Sequence, residues 1–154
     1  MDPSFSFTRA MRLPRFVSAT VLCGVAVVAA CISRGGSIDV RQGSQPPAVD
    51  FVYTPPATAR DVPIDVIQVA GGVSAHGRGM QNYIWYVAQT NGAAPRGPVV
   101  IHFGTVPTGM AEAAPARSLL PGRYSVTVRA NHVVAITEFR ITASGQVESL
   151  GPAT

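Results

Sequence analysis

The stretch GRYSVTVRA, residues 122–130, alternates strictly. Tyr124, Val126, Val128 and Ala130 fall on one side, and Arg123, Ser125, Thr127 and Arg129 on the other. A period of two marks a strand with one face buried and the other in water. The pattern recurs from Val62 onward. VVAITEFRITA sets Val133, Ala135, Thr137, Phe139 and Ile141 against Glu138 and Arg140, and GPVVIHFGT sets Val99, Ile101 and Phe103 against Val100 and His102. VPIDVIQVA offers Ile64, Val66 and Gln68 on one side, bracketed by Val62 and Val69. YIWYVAQT is aromatic and β-branched, and SGQVES reads as a turn and a short last strand. Glycine, proline and asparagine separate these pieces, notably in GGVSAHGRG and at Asn91-Gly92. No run of ten or more residues holds a helical period. TGMAEAAPARSLL comes nearest, and Pro115 limits it to about one turn. So many short strands would leave an apolar face in water if they formed one sheet, so the expectation is an all-β chain folded as a small antiparallel β-sandwich.

Before Val62 the composition changes. Residues 31–60 are rich in Gly, Ser, Pro and Gln, with RQGSQPPAVD and YTPPATARD at their centre. Adjacent prolines favour extended, semi-rigid backbone, so a flexible tether is expected over 31–60 and the domain over 61–154. A brief strand around residues 38–41 or 50–53 is the alternative. Further upstream, Arg9, Arg12 and Arg15 precede an uncharged run from Phe16 to Ala30 that ends in small residues. A basic stretch, an apolar stretch and a small-residue cut are the three parts of a secretory signal, which is expected to form a helix over residues 1–30. Met11 is a second possible start, because Met11 to Arg15 alone makes a complete basic segment. A membrane span is the competing reading, but Ser18, Thr20, Gly24 and several alanines thin its hydrophobicity.

The stretch Val28-Ala29-Ala30-Cys31 resembles the lipobox of bacterial lipoproteins, an aliphatic residue and two small ones before a cysteine. That resemblance implies cleavage after Ala30, a diacylglyceryl group on the Cys31 sulfur, and attachment to a lipid bilayer in the cell envelope. Val28 stands where the family prefers leucine. Ile32 lacks the aspartate that marks inner-membrane retention in the enterobacterial pattern, so in a Gram-negative cell the resemblance implies the outer membrane, facing the periplasm. HFGTVPTG and SLLPGRYSVTVRA resemble small immunoglobulin- or fibronectin-like envelope domains, in which a Pro-Gly turn feeds a strand. This second likeness implies a fold and no activity.

Charge and reactive groups exclude several classes of function. The isoelectric point is about 9.7. Yet from Cys31 onward nine arginines face seven acids, the arginines are scattered singly, and lysine is absent. A surface that tracks phosphates needs a basic stripe, so no nucleic-acid partner is expected. His76, His102 and His132 have no metal-binding spacing, and neither a G-x-S-x-G elbow nor a phosphate loop is present. Asp61 and Asp65 are four apart, which in a strand puts both near one surface. No catalysis, metal or cofactor is expected. Tyr83, Trp85 and Tyr86 remain as a possible binding surface, with Tyr83 and Trp85 on one strand face and Tyr86 on the other. The competing reading buries Trp85 as the pivot of the sandwich, and it is preferred because large aromatics dominate small cores. The leading expectation is a non-catalytic lipoprotein whose domain contacts another envelope protein, with edge strands offering recognition by strand addition. The alternative is a carbohydrate-binding module for wall or surface glycans.

Overall fold

A computed structural model describes residues 33–44, 48–72, 83–90 and 93–152. The strands are β1 (Ser33–Arg34), β2 (Ser37–Gln42), β3 (Val49–Thr54), β4 (Val66–Gly71), β5 (Tyr83–Gln89), β6 (Val99–His102), β7 (Met110–Ala114), β8 (Gly122–Ala130), β9 (Val133–Ile141) and β10 (Val147–Pro152). A single 3-10 turn covers Ala57–Ala59. The strands form two sheets. The larger runs β1-β9-β8-β4-β5-β7, with β10 also on β9, and the smaller runs β2-β3-β6. All pairings are antiparallel except β1 on β9. The domain is a small β-sandwich.

The alternation read in β8 and β9 is kept through the whole hairpin. Val126 pairs with Thr137, Val128 with Ala135 and Tyr124 with Phe139, so both strands turn the same residues inward. Val126, Val128 and Phe139 are fully buried. The hairpin turns at Asn131, whose φ of 53° is left-handed. Asparagine tolerates that conformation, and Asp65 holds it by accepting the Asn131 N–H at 2.6 Å. The inner face of the larger sheet is completed by Ile67 and Val69 of β4 and Trp85 and Val87 of β5. Opposite them, the smaller sheet supplies Ile38 and Val40, then Val49, Phe51 and Tyr53, then Ile101. The two layers touch through Phe51 and Phe139, whose rings lie 5.6 Å apart.

Residues 37–54 overturn the expected tether. β2 and β3 are paired over six residues each and bury Ile38, Val40, Val49, Phe51 and Tyr53, so residues 37–54 belong to the sandwich rather than to a tether. Among the described residues, Gly35 and Gly36 precede β2 and Pro55 and Pro56 follow β3, so they flank the strands rather than interrupt them. In β2 and β3 themselves, Ile38 and Val40 alternate with Asp39 and Arg41, and Phe51 and Tyr53 with Asp50 and Val52. Burying a side chain such as Phe51 contributes about 2–3 kcal/mol, enough to order a proline-flanked strand. Gly36 allows the step from β1 in one sheet to β2 in the other. Its φ is +88°, and a Cβ there would meet the Thr54 carbonyl oxygen at 2.8 Å.

Two further expectations are corrected. MAEAA is strand β7 rather than a helical turn, because pairing with β5 outweighs alanine's weak strand preference. In β4 it is Ile67 and Val69 that face the core, while Val66 and Gln68 lie on the other face. Ile64, fully buried, precedes the strand. The expected signal helix of residues 1–30 lies outside the described residues. Among the described residues no helix is long and apolar enough to cross a membrane.

Two phenols on the inner faces differ in their hydrogen bonds. The Tyr124 hydroxyl accepts from Leu120 N at 3.0 Å and donates to Leu120 O at 2.6 Å, pinning the turn before β8. The Tyr53 hydroxyl is buried with no hydrogen-bond partner among the described residues. Tyr124→Phe should therefore lower the unfolding free energy by about 1–1.5 kcal/mol in urea titration. Tyr53→Phe should leave it unchanged or raise it by about 1 kcal/mol, because a desolvated hydroxyl without a partner is removed. Burial also raises the Tyr53 pKa above its ordinary 10.0. Below that value both folded and unfolded chains keep the proton. Above it the unfolded chain loses the proton first, so stability falls with rising pH. Urea midpoints measured at increasing alkaline pH should fall more steeply for the wild type than for Tyr53→Phe.

Candidate functional site

The aromatic strand β5 lies between β4 and β7. Trp85 is fully buried, with its ring edge-on to Phe103 at 5.5 Å. Its indole N–H donates to the Glu112 carboxylate at 3.0 Å. Trp85 is thus a core residue with a satisfied polar tip, and it is withdrawn from the expected binding surface.

Tyr83 and Tyr86 were expected on opposite faces, and a bulge brings them together. β5 pairs Trp85 with Val69 and then Tyr83 with Ala70, so Ile84 is an extra residue with no partner in β4. One inserted residue reverses the alternation beyond it. Tyr83 therefore moves from the Trp85 face to the Tyr86 face, and the two half-buried rings lie 5.2 Å apart, tilted by 40°.

This is the outer face of the larger sheet, and the strand registers give its rows. One row reads Ile136, Thr127, Gln68, Tyr86 and Ala114 across five strands and holds no charge. The next reads Glu138, Ser125, Ala70 and Tyr83. Charge gathers at the two ends of the face. Arg129 approaches Asp65 to 4.0 Å at one end, and Arg140 is paired with Glu148 beside Arg123 at the other. This face is buried at Val66, Ala70 and Ser125 and half-buried at Tyr83 and Tyr86, and a centre whose one charge is Glu138, with an aromatic pair and a charged rim, has the composition of a contact surface.

The β7 and β10 edges of this sheet do not invite strand addition. β7 has a register shift opposite Tyr86 and Val87, turns Glu112 inward, and runs into Pro115. β10 shifts register between Ser149 and Gly151 and ends at Pro152. Bulges, inward charges and prolines are the features that block edge pairing.

The other candidate groups serve the scaffold. His102 and Asp50 form a cross-strand pair at 2.7 Å on the outer face of the smaller sheet. Among the described residues no hydroxyl or thiol hydrogen-bonds to His102. His132 contacts Asn131 within the β8–β9 turn at 2.7 Å. Among the described residues no three His, Cys, Asp or Glu side chains are gathered to hold a metal ion. Asp65 caps the same turn, a role that its spacing from Asp61 did not announce. A cleft of about 260 Å³ opens between β2 and the edge of β9, lined by Ile38, Ile136, Thr137 and Pro152. Its polar Thr137 hydroxyl is already donated to Ile38 O at 3.0 Å. Val28, Ala29, Ala30, Cys31 and His76 lie outside the described residues.

No protein-family model matches this chain, and neither the curated proteins nor the solved structures give a match.

Proposed function

We propose that this chain is a lipid-anchored, non-catalytic protein of the bacterial envelope. Its immunoglobulin/fibronectin-like domain binds a protein partner through the outer face of the larger sheet. The Tyr83–Tyr86 pair, with Tyr86 in the uncharged row, is the observation that carries the binding reading. Tyrosines pack large rigid area at low entropic cost and are enriched where partners meet. The blocked edges favour this face over strand addition.

The finer fold reading is supported by strand order. β2-β3-β6 and β9-β8-β4-β5 match the A-B-E and G-F-C-C′ neighbours of that fold. Tyr124, bonded back to Leu120 at the start of β8, matches its tyrosine corner. The chain departs from antibody domains in two ways. Its buried tryptophan is on β5, the C′ position, and the strands carry no cysteine.

Anchoring rests on Val28-Ala29-Ala30-Cys31, whose resemblance to a lipobox assigns Cys31 the acyl group and Ala30 the cut. Ile32 after the cysteine favours the outer membrane in a Gram-negative cell. The glycan reading is set aside, because the tryptophan it would stack on a sugar is in the core.

Two experiments test the proposal. The amino-terminal peptide of the mature protein should begin at Cys31 and carry the diacylglyceryl mass; an intact segment with unmodified Cys31 would defeat the anchoring. In mild-detergent pull-downs, a stoichiometric partner should be lost with Tyr83→Ser/Tyr86→Ser and kept with His102→Ala on the opposite sheet. Equal recovery from both variants would remove the face from the proposal. Separately, Trp85 emission should be blue, resist acrylamide, and stay fixed on adding wall glycans.

A further inference from the structure

The order of the chain around β1 bears on where the domain sits, and the inference rests on the proposed acylation of Cys31. Ser33 and Arg34 pair with Val133 and Val134, and Gly35 N–H donates to Val134 O at 3.4 Å. The chain thus enters the larger sheet beside the β8–β9 turn. Only Ile32 separates Cys31 from Ser33, and two residues of fully extended chain span at most about 7 Å. A tether from residue 31 to 60 would hold the domain well clear of the lipid, but that chain is taken up by β1, β2 and β3.

We infer that the β8–β9 turn end of the sandwich rests directly on the phospholipid headgroups of the membrane that holds the acyl chains. The groups at this end suit headgroup contact without insertion. Arg129, Asn131 and His132 are exposed around the turn, and Arg60 is exposed on the connection between β3 and β4, five residues before the Asp65 that caps the turn. Arg129 reaches Asp65 only at 4.0 Å, and that carboxylate is already bonded to Asn131 N–H. Arg60 has no ion pair among the described residues. Guanidinium groups bind phosphate oxygens in pairs of hydrogen bonds, so both arginines fit a headgroup layer. Among the described residues the most exposed large apolar side chain, Leu120 at 68%, is beside the start of β8, at the opposite end of the sheet. This orientation leaves the Tyr83–Tyr86 face at the side of the domain, open to a partner.

The opposite ends of β9 are about 27 Å apart, which a membrane-bound relaxation agent resolves. Once Cys31 is acylated and Cys23 removed with the signal, an introduced cysteine is the only free thiol. His132→Cys and Arg60→Cys would carry a nitroxide at the proposed contact, and Ser144→Cys at the far end. The lipidated protein is placed in phosphatidylcholine nanodiscs doped with nickel-chelating lipid, after mass spectrometry of its amino-terminal peptide. Relaxation should be several-fold stronger at residues 132 and 60 than at 144. Inserting about ten Gly/Ser residues between Ile32 and Ser33 should abolish the difference. Equal relaxation at both ends with acylated Cys31 would overturn the orientation and leave the anchor standing. An unmodified Cys31 would overturn both.

Discussion

The contact between Phe51 and Phe139 is the point on which the sandwich depends. No cysteine lies among the described strands, so no disulfide joins them, and the layers are held chiefly by apolar contact. Phe139 touches Phe51 of the smaller sheet at 5.6 Å and stacks on Tyr124 of its own sheet at 5.4 Å. Tyr124 in turn fixes the connection entering β8 through Leu120. One aromatic column therefore joins the two layers and sets the register of a corner. Polar links along one side reinforce it: Thr137 donates to Ile38 O, and Gln42 accepts from Val147 N–H at 2.9 Å.

The same constraint shapes the outside of the larger sheet. With Trp85 needed inward, β5 must carry its other aromatic residues elsewhere. The bulge at Ile84 sends Tyr83 outward beside Tyr86. Glu112, reaching in from β7 to the indole N–H, satisfies the only polar atom of Trp85 and blocks the edge at once. Core packing, edge protection and the aromatic outer pair are thus consequences of one strand's geometry.

Much of the fold was legible because alternation is a local signal. In β8 and β9 every inward residue was identifiable from the period alone, since the inner face of each strand is buried throughout, although Ser125 on the outer face of β8 is buried as well. β4 was harder. Val66 and Ala70 are buried on its outer face as well, so its burial does not alternate. β7 was illegible because alanines carry no period and little strand preference, and only pairing with β5 makes them a strand. β2 and β3 alternate, but they are short and set among prolines, glycines and glutamines that dominate any window wide enough to judge. Of the candidate site, Tyr83 and Tyr86 were visible as residue types. Their meeting was not, because it depends on an extra residue counted against β4.

By itself the sequence determined an all-β chain, the inward and outward faces of β8 and β9, and a charge pattern without a basic stripe. These follow from composition and from neighbours along the chain. Tertiary structure alone decided that residues 37–54 belong to the domain, that Asp65 caps a turn sixty-six residues away, and that Tyr83 faces outward with Tyr86. Each of these depends on what a residue is paired with across a sheet, and cross-strand register is set by burial of the whole face rather than by any local run of residues.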